Sequence, residues 1–277
     1  MSVRIVTLVE NTAGFPLVLA EWGQSVYLEA DGKKILFDTG LGKALLHNAK
    51  ALGVEMGKLD YLILSHGHVD HTGGLKDALE AQEQRPLPII AHPDIWGKKY
   101  IRLGGDRFIG IPLVRDYLES LGGEFRSTKE PFWVSENVLV SGEVPLESGF
   151  EKVDDNILIK ENGRFSKDPL LDDFSIFIKT PKGLVAVLGC GHRGIVNILR
   201  HGLNLTGLDR VRAVIGGTHL FMADKERLEK TIEALKGMNL GEIGVSHCTG
   251  MQASLELAQA FKERFFFNNA GTSREYD

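Results

Sequence analysis

Between Leu64 and Gly74 the chain reads Leu64-Ser65-His66-Gly67-His68-Val69-Asp70-His71-Thr72-Gly73-Gly74, a polar loop that packs three imidazoles and a carboxylate into the six positions from His66 to His71. Side chains of these types share one chemistry. Their lone pairs bind a divalent cation, and without one, burial would leave them facing each other unpaired. His66 and His68, two apart on an extended segment, project to the same side, whereas Asp70 and His71 at a helix entrance turn toward a neighbouring point. One short loop can therefore serve two ions.

Further candidates follow three later apolar runs. Gly189-Cys190-Gly191-His192-Arg193-Gly194, Gly216-Gly217-Thr218-His219 and Ser246-His247-Cys248-Thr249-Gly250 each deliver a histidine before a helical pattern. His219 suits a donor to a leaving group or substrate anion, or a packing role. Arg193 and Glu143 are candidates for substrate contact. Asp38, in Phe37-Asp38-Thr39-Gly40, suits either a support for the histidine loop or a turn cap. His92 reads as a structural histidine at a strand end, and His47 as an ordinary helix-surface residue. Cys248 fits a small buried residue as well as a place beside the site.

The elements that must position these residues are legible in the periodicity. Val3–Glu10, Ser25–Glu29 and Lys34–Asp38 predict an antiparallel meander with a turn at Asp31-Gly32. A helix over about 41–52 leads to the apolar run Tyr61–Leu64, and Gly73-Gly74-Leu75 opens the next helix. Leu87–Ala91 predicts a strand. The stretch from about 94 to 150 is less regular and is read as an elaboration near the site, its arginines and aromatics suiting either an anionic substrate with a flat ring or the packing of the elaboration itself. Phe174–Lys179 and Gly183–Leu188 predict a hairpin that ends at Cys190, followed by a helix from Ile195 whose free N–H groups could receive an anion. Strands at Val211–Ile215 and Glu242–Val245 alternate with helices at 225–236 and 251–261, the last with Thr249 and Gln252 at capping-box spacing. Such alternation collects strand ends on one rim of a sheet. Phe265–Asn268 suggests a last strand and 271–277 a loose tail. The pairs Asp154-Asp155 and Asp172-Asp173 carry no assignment.

At 277 residues, 43% hydrophobic and 25% charged, the chain can bury a large two-layer core. A net charge of −5 gives no overall pull toward nucleic acid or an anionic membrane. The start shows no secretion signal and no apolar run approaches ~20 residues, so a cytoplasmic protein is expected. Two cysteines, Cys190 and Cys248, are too few for a disulfide framework.

Ser65-His66-Gly67-His68-Val69-Asp70-His71 resembles the signature loop of the metallo-β-lactamase fold superfamily, and Asp38, the hairpin ending at Cys190 and the strand ending at His247 follow in that family's order. The resemblance implies an α/β (α+β) fold, a four-layer αββα sandwich formed by one domain over 1–277, with a two-metal site on one edge. By the family pattern His66 and His68 hold the first metal, and Asp70, His71 and His247 the second. The family's further histidine before the late hairpin is missing here, where the chain reads Leu170-Leu171-Asp172-Asp173, and His192 is the best replacement. Cys190 stands where the family commonly has a bridging aspartate, and suits either a thiolate ligand or a packing residue.

Within the superfamily, Glu10-Asn11-Thr12, Leu46-His47-Asn48, Gly189 to Asn197, Gly216 to Leu220 and His247-Cys248-Thr249-Gly250 are most similar to the branch of 7,8-dihydropterin-6-yl-methyl-4-(β-D-ribofuranosyl)aminobenzene 5′-phosphate synthase. What the resemblance implies is a metal-dependent enzyme with one or two divalent ions, zinc first and manganese or iron next. Its leading activity is hydrolysis of an anionic or phosphorylated small molecule by a metal-bound hydroxide that Asp70 orients. The alternatives are a transferase, in which an arylamine displaces pyrophosphate from a pterin, and a non-catalytic metal-binding sensor. A nuclease or β-lactamase is not expected, and a homo-oligomer is left open.

Overall fold

Short β-branched runs open the chain as antiparallel strands β1 (Val3–Val9), β2 (Ser25–Ala30) and β3 (Lys33–Phe37) in the computed structural model, which describes residues 2–277. Asp31 and Gly32, both at positive φ, form the two-residue turn between β2 and β3. Crossover helices then make the sheet parallel. Helix α1 (Leu45–Ala51) leads to β4 (Tyr61–Ile63), and α2 (Val69–Thr72) with α3 (Leu75–Glu80) leads to β5 (Leu87–Ala91). The chain leaves the sheet as a hairpin, β6 (Lys99–Arg102) and β7 (Asp106–Phe108), and returns through α4 (Arg115–Ser120) to β8 (Gly123–Ser127), parallel to β5.

A second sheet starts with β9 (Phe132–Trp133) and β10 (Val138–Val140). After β11 (Ile157–Glu161) and β12 (Arg164–Lys167), which join β6 and β7 in a separate four-stranded sheet, the hairpin β13 (Ser175–Thr180) and β14 (Gly183–Leu188) extends it. Helix α5 (Ile195–Thr206), β15 (Val211–Gly217), α6 (Lys225–Gly237), β16 (Glu242–Ser246), α7 (Met251–Phe261) and β17 (Phe265–Phe267) alternate, so these strands run parallel. Finally β18 (Ser273–Tyr276) crosses back to pair with β1. The orders are β18-β1-β2-β3-β4-β5-β8 and β17-β16-β15-β14-β13-β10-β9.

The period of two along each strand builds the layers. Ile5, Ile35 and Phe37 of the first sheet and Ile176, Val185, Val187 and Ile215 of the second meet in a central core. Their sequence neighbours point outward: Val6, Leu8 and Leu36 pack under α1, α3 and α4, and Phe177, Leu184 and Leu188 pack under α5, α6 and α7. The result is the αββα sandwich. No helix among the described residues is long and apolar enough to cross a membrane.

Several expectations change. The 94–150 stretch is only in part an addition, because β8 belongs to the first sheet and β9 and β10 to the second. Helix α1 starts at Leu45 rather than 41, since Leu41 to Ala44 turn back to donate their N–H groups to the Glu21 carboxylate. The capping box at Thr249 does not form: its hydroxyl donates to the Ser246 carbonyl, and Gly250 precedes α7. The tail is a paired strand whose Tyr276 is 3% exposed. Tyr276→Ala should therefore cost about 3 kcal/mol in urea unfolding, in the range for deleting a buried aromatic, whereas a loose tail would give a change below about 0.5 kcal/mol.

Candidate metal centre

The parallel strands β3, β4, β14, β15 and β16 deliver Asp38, the histidine loop, Cys190 with His192, His219 and His247 to one rim of the sandwich. The loop is held first by Asp38, fully buried just after β3 at φ +60. One carboxylate oxygen accepts the Ser65 N–H (2.7 Å). The other accepts the Ser65 hydroxyl (2.7 Å) and His71 Nδ1–H (2.7 Å). At the far side Asp172 accepts the Gly67 N–H (2.9 Å) and pairs with Lys99 Nζ (2.9 Å), which also pairs with Asp168 (2.8 Å). Lys99 is fully buried, so the two carboxylates compensate a charge that would otherwise be very costly there. Gly67 permits this packing, because a Cβ would overlap the Ile95 carbonyl oxygen.

These supports also set which ring nitrogen each histidine offers. His66 Nδ1 donates to Ser65 Oγ (2.9 Å), His71 Nδ1 to Asp38, and His247 Nδ1 to Asn11 Oδ1 (3.0 Å), which turns all three Nε2 atoms toward the rim. They converge. His66 Nε2 lies 2.9 Å from His68 Nδ1 and 3.3 Å from His192 Nε2, while His71 Nε2 lies 3.3 Å from His247 Nε2 and 3.1 Å from Cys190 Sγ. Asp70 Oδ2 stands 3.3 Å from His247 Nε2. These ligand atoms gather around common points. Their spacing matches the edge of a tetrahedron with ~2.1 Å metal–nitrogen bonds, about 3.4 Å. Five overlapping donor groups result; His66, His68 and His192 form one, and Asp70, His71 and His247 another that shares no residue with it, with Cys190 beside His71. The residues present fit a pair of divalent ions.

The remaining predicted residues fall elsewhere. Arg193 lies at the rim, but its side chain donates to the carbonyls of Val144 (2.9 Å) and Pro169 (3.0 Å) and ties loops together. Glu143 pairs with His92 Nε2 (3.0 Å) and belongs to none of the ligand groups. His219 is the exception: it groups with Cys190 and His192, packs its ring on His192, centroids 3.9 Å apart, and has Nε2 3.0 Å from Asp154 and Nδ1 buried without a partner. The helix N-terminus expected to receive an anion is already occupied: Glu151 accepts the N–H groups of Val196 (3.0 Å) and Asn197 (2.9 Å). Cys248 Sγ donates to the Cys190 carbonyl. Sequence reasoning missed Glu10, which accepts the His247 N–H, as well as Asn11, Asp172, Lys99 and Asp154. The Glu10-Asn11-Thr12 run was visible as a motif, but nothing local says that it reaches His247.

Electrostatics divide the two groups. Burial holds His66 and His192 well below the usual imidazole range and His68 down at about 3, helped by neighbouring positive charge, so all three are neutral lone-pair donors at pH 7. His71 goes the other way. Burial works against its protonation, but the Asp38 carboxylate outweighs burial and raises it to about 9. Burial pushes the Cys190 thiol up. An ion joining His71 must therefore displace a proton, and its affinity should rise about tenfold per pH unit up to about pH 9. The His66, His68 and His192 group should bind with no such dependence above about pH 5. Calorimetric zinc titration in buffers of different ionisation enthalpy should show proton release only in the second step, and equal release in both would contradict this division.

The metallo-β-lactamase superfamily model matches residues 21–146. The 7,8-dihydropterin-6-methyl-4-(β-D-ribofuranosyl)-aminobenzene-5′-phosphate synthase of Methanocaldococcus jannaschii is 35% identical, over 98% of this chain and 95% of its own. An uncharacterised protein of the same organism is 32% identical over 95% of this chain and 96% of its own. The crystal structure of Tm1679, a metal-dependent hydrolase of the β-lactamase superfamily, aligns with 99% of both chains at 25% identity and a TM-score of 0.86. Fold, histidine loop and whole-length similarity agree, and the chain belongs to the metallo-β-lactamase superfamily.

Proposed function

We propose that the protein is a metal-dependent hydrolase of a phosphorylated or otherwise anionic small molecule. The convergence of ring nitrogens with their other faces already committed to Ser65, Asp38 and Asn11 carries this reading, because such fixed orientation is what ligation requires and what packing alone does not. The mixed imidazole, carboxylate and thiol donors suit zinc. Bound there, divalent ions supply Lewis acidity that acidifies water and neutralises an anionic group.

The chain's own part lies in Asp70 and His219. Asp70 is kept a carboxylate at neutral pH: burial opposes ionisation, but His247 and His71 hold its pKa well below the usual range. Its Oδ2, which also accepts Trp22 Nε1–H (3.1 Å), is placed to accept a hydrogen bond from a water and so to orient it. Burial disfavours a charged His219, yet the Asp154 carboxylate raises it to about 9, so it carries the proton that a departing oxygen needs.

Similarity to the Methanocaldococcus jannaschii synthase favours a second reading on the same site, displacement of pyrophosphate from a pterin by an arylamine. There the ions held by these residues would supply charge neutralisation for the departing pyrophosphate. Incubation with a pterin methyl diphosphate, with and without an arylamine, separates the two. Pyrophosphate release that needs the amine supports the transferase, release of phosphate or pyrophosphate without it supports the hydrolase, and no release under either condition removes the pterin substrate.

Purified protein should hold one to two equivalents of zinc, manganese or iron by elemental analysis, and a His68→Ala, Asp70→Ala double variant should lose most of it. Fully folded, active, metal-free protein would overturn the reading. Asp70→Asn should lower kcat by about 10²–10⁴, while the first ion, held by His66, His68 and His192, is retained.

A further inference from the structure

A cleft of about 270 Å³ opens beside the second donor group, with His247 in its wall and Trp22, Phe221, Phe267, Thr12 and Asn269 along it. We infer that this cleft is a recognition subsite for an uncharged, flat heteroaromatic ring of the substrate, an inference that rests on the reading of the centre as one that acts on a small molecule.

Three observations carry it. Trp22, Phe221 and Phe267 are 57%, 45% and 46% exposed, large apolar surfaces gathered at one place, as at sites that bind apolar groups. Trp22 and Phe221 are also fixed to the centre itself. Trp22 donates to Asp70 and sets its ring 5.5 Å from that of His247, and Phe221 sets its ring 5.2 Å from that of His219. Gly250, at φ +76, leaves room for Phe221, because a Cβ would come 2.7 Å from the Phe221 Cβ. Aromatic faces held in place this way stack a planar ring with little entropy to lose.

The lining also defines the ring. Only Glu10 and His247 among these residues can carry charge. Glu10 spends both oxygens on the N–H groups of His247 and Thr12, and His247 faces the donor group. The cleft therefore offers no free positive charge to an anion, which the ions would take instead. Thr12 and Asn269 bring a hydroxyl and an amide for ring heteroatoms. The volume lies just below the ~300–1,000 Å³ of ligand pockets, as suits a subsite for one fused ring system rather than a whole ligand.

The test uses the zinc-loaded full chain and 6-hydroxymethylpterin, a fused heteroaromatic ring without phosphate, and follows binding by the probe's own fluorescence anisotropy. Wild type should bind it. Phe221→Ala and Trp22→Ala should each weaken binding at least about fivefold, as expected for loss of one stacking face, whereas Trp22→Phe, which keeps a ring, should weaken it less. Zinc content and thermal melting should show each variant to be folded and loaded. Wild type that carries zinc but does not bind the pterin, or variants that bind it like wild type, would overturn the subsite. Failure of the hydrolase reading has a different signature: pterin binding sensitive to Phe221 in a protein that turns over no phosphoester.

Discussion

A single buried carboxylate sets the geometry at the rim. Asp38 accepts from the Ser65 backbone, the Ser65 hydroxyl and His71, and through Ser65 it reaches His66. Two imidazoles, one in each of the two separate donor groups, therefore take their orientation from one residue. The arrangement is strained as well as buried, since Asp38 sits in the left-handed region where an aspartate is tolerated at a cost. A fully solvated aspartate could not do the same, because water would compete for each of its lone pairs. The sheets on either side exclude that water, and the apolar residues Phe37 and Ile63 that precede the two segments are 0% exposed.

The sandwich follows from patterning that can be read without coordinates. Alternation in β1, β3 and β14 separates the central core from the two outer ones, and the strand–helix repeat after Gly183 dictates parallel pairing and a shared rim. The histidine loop is equally legible, as a run of histidines two and three apart in a loop between apolar segments. His192 and His247 were recognisable for the same reason, each following a strand and preceding a helix.

What stayed hidden depends on contacts between residues far apart in sequence. Asp172 looks like half of a surface acidic pair, and only the fold shows it bridging Gly67 and Lys99. Glu151 gives no local sign that it will cap α5, so the helix start read as an open anion site when its first free N–H groups were already spent. The tail misled in the same way: Ser273 to Tyr276 is polar on one face, and its strand exists because the edge of β1 was free to receive it. Arg193 carried the charge expected of a substrate contact, yet the carbonyls of Val144 and Pro169 claim it.

The donor groups have a mechanical side. His66, His68, Asp70 and His71 hang from the first sheet, while Cys190, His192 and His247 hang from the second. The His66, His68 and His192 group and the Asp70, His71 and His247 group each draw on both sheets, so an ion in either place would act as a rivet across the seam between the two halves of the molecule, and its binding energy would be shared with their cohesion. Such a seam makes the rim the part of the molecule that metal loss would loosen first, while the apolar layers further from it, which owe nothing to the ions, would keep the two halves in register.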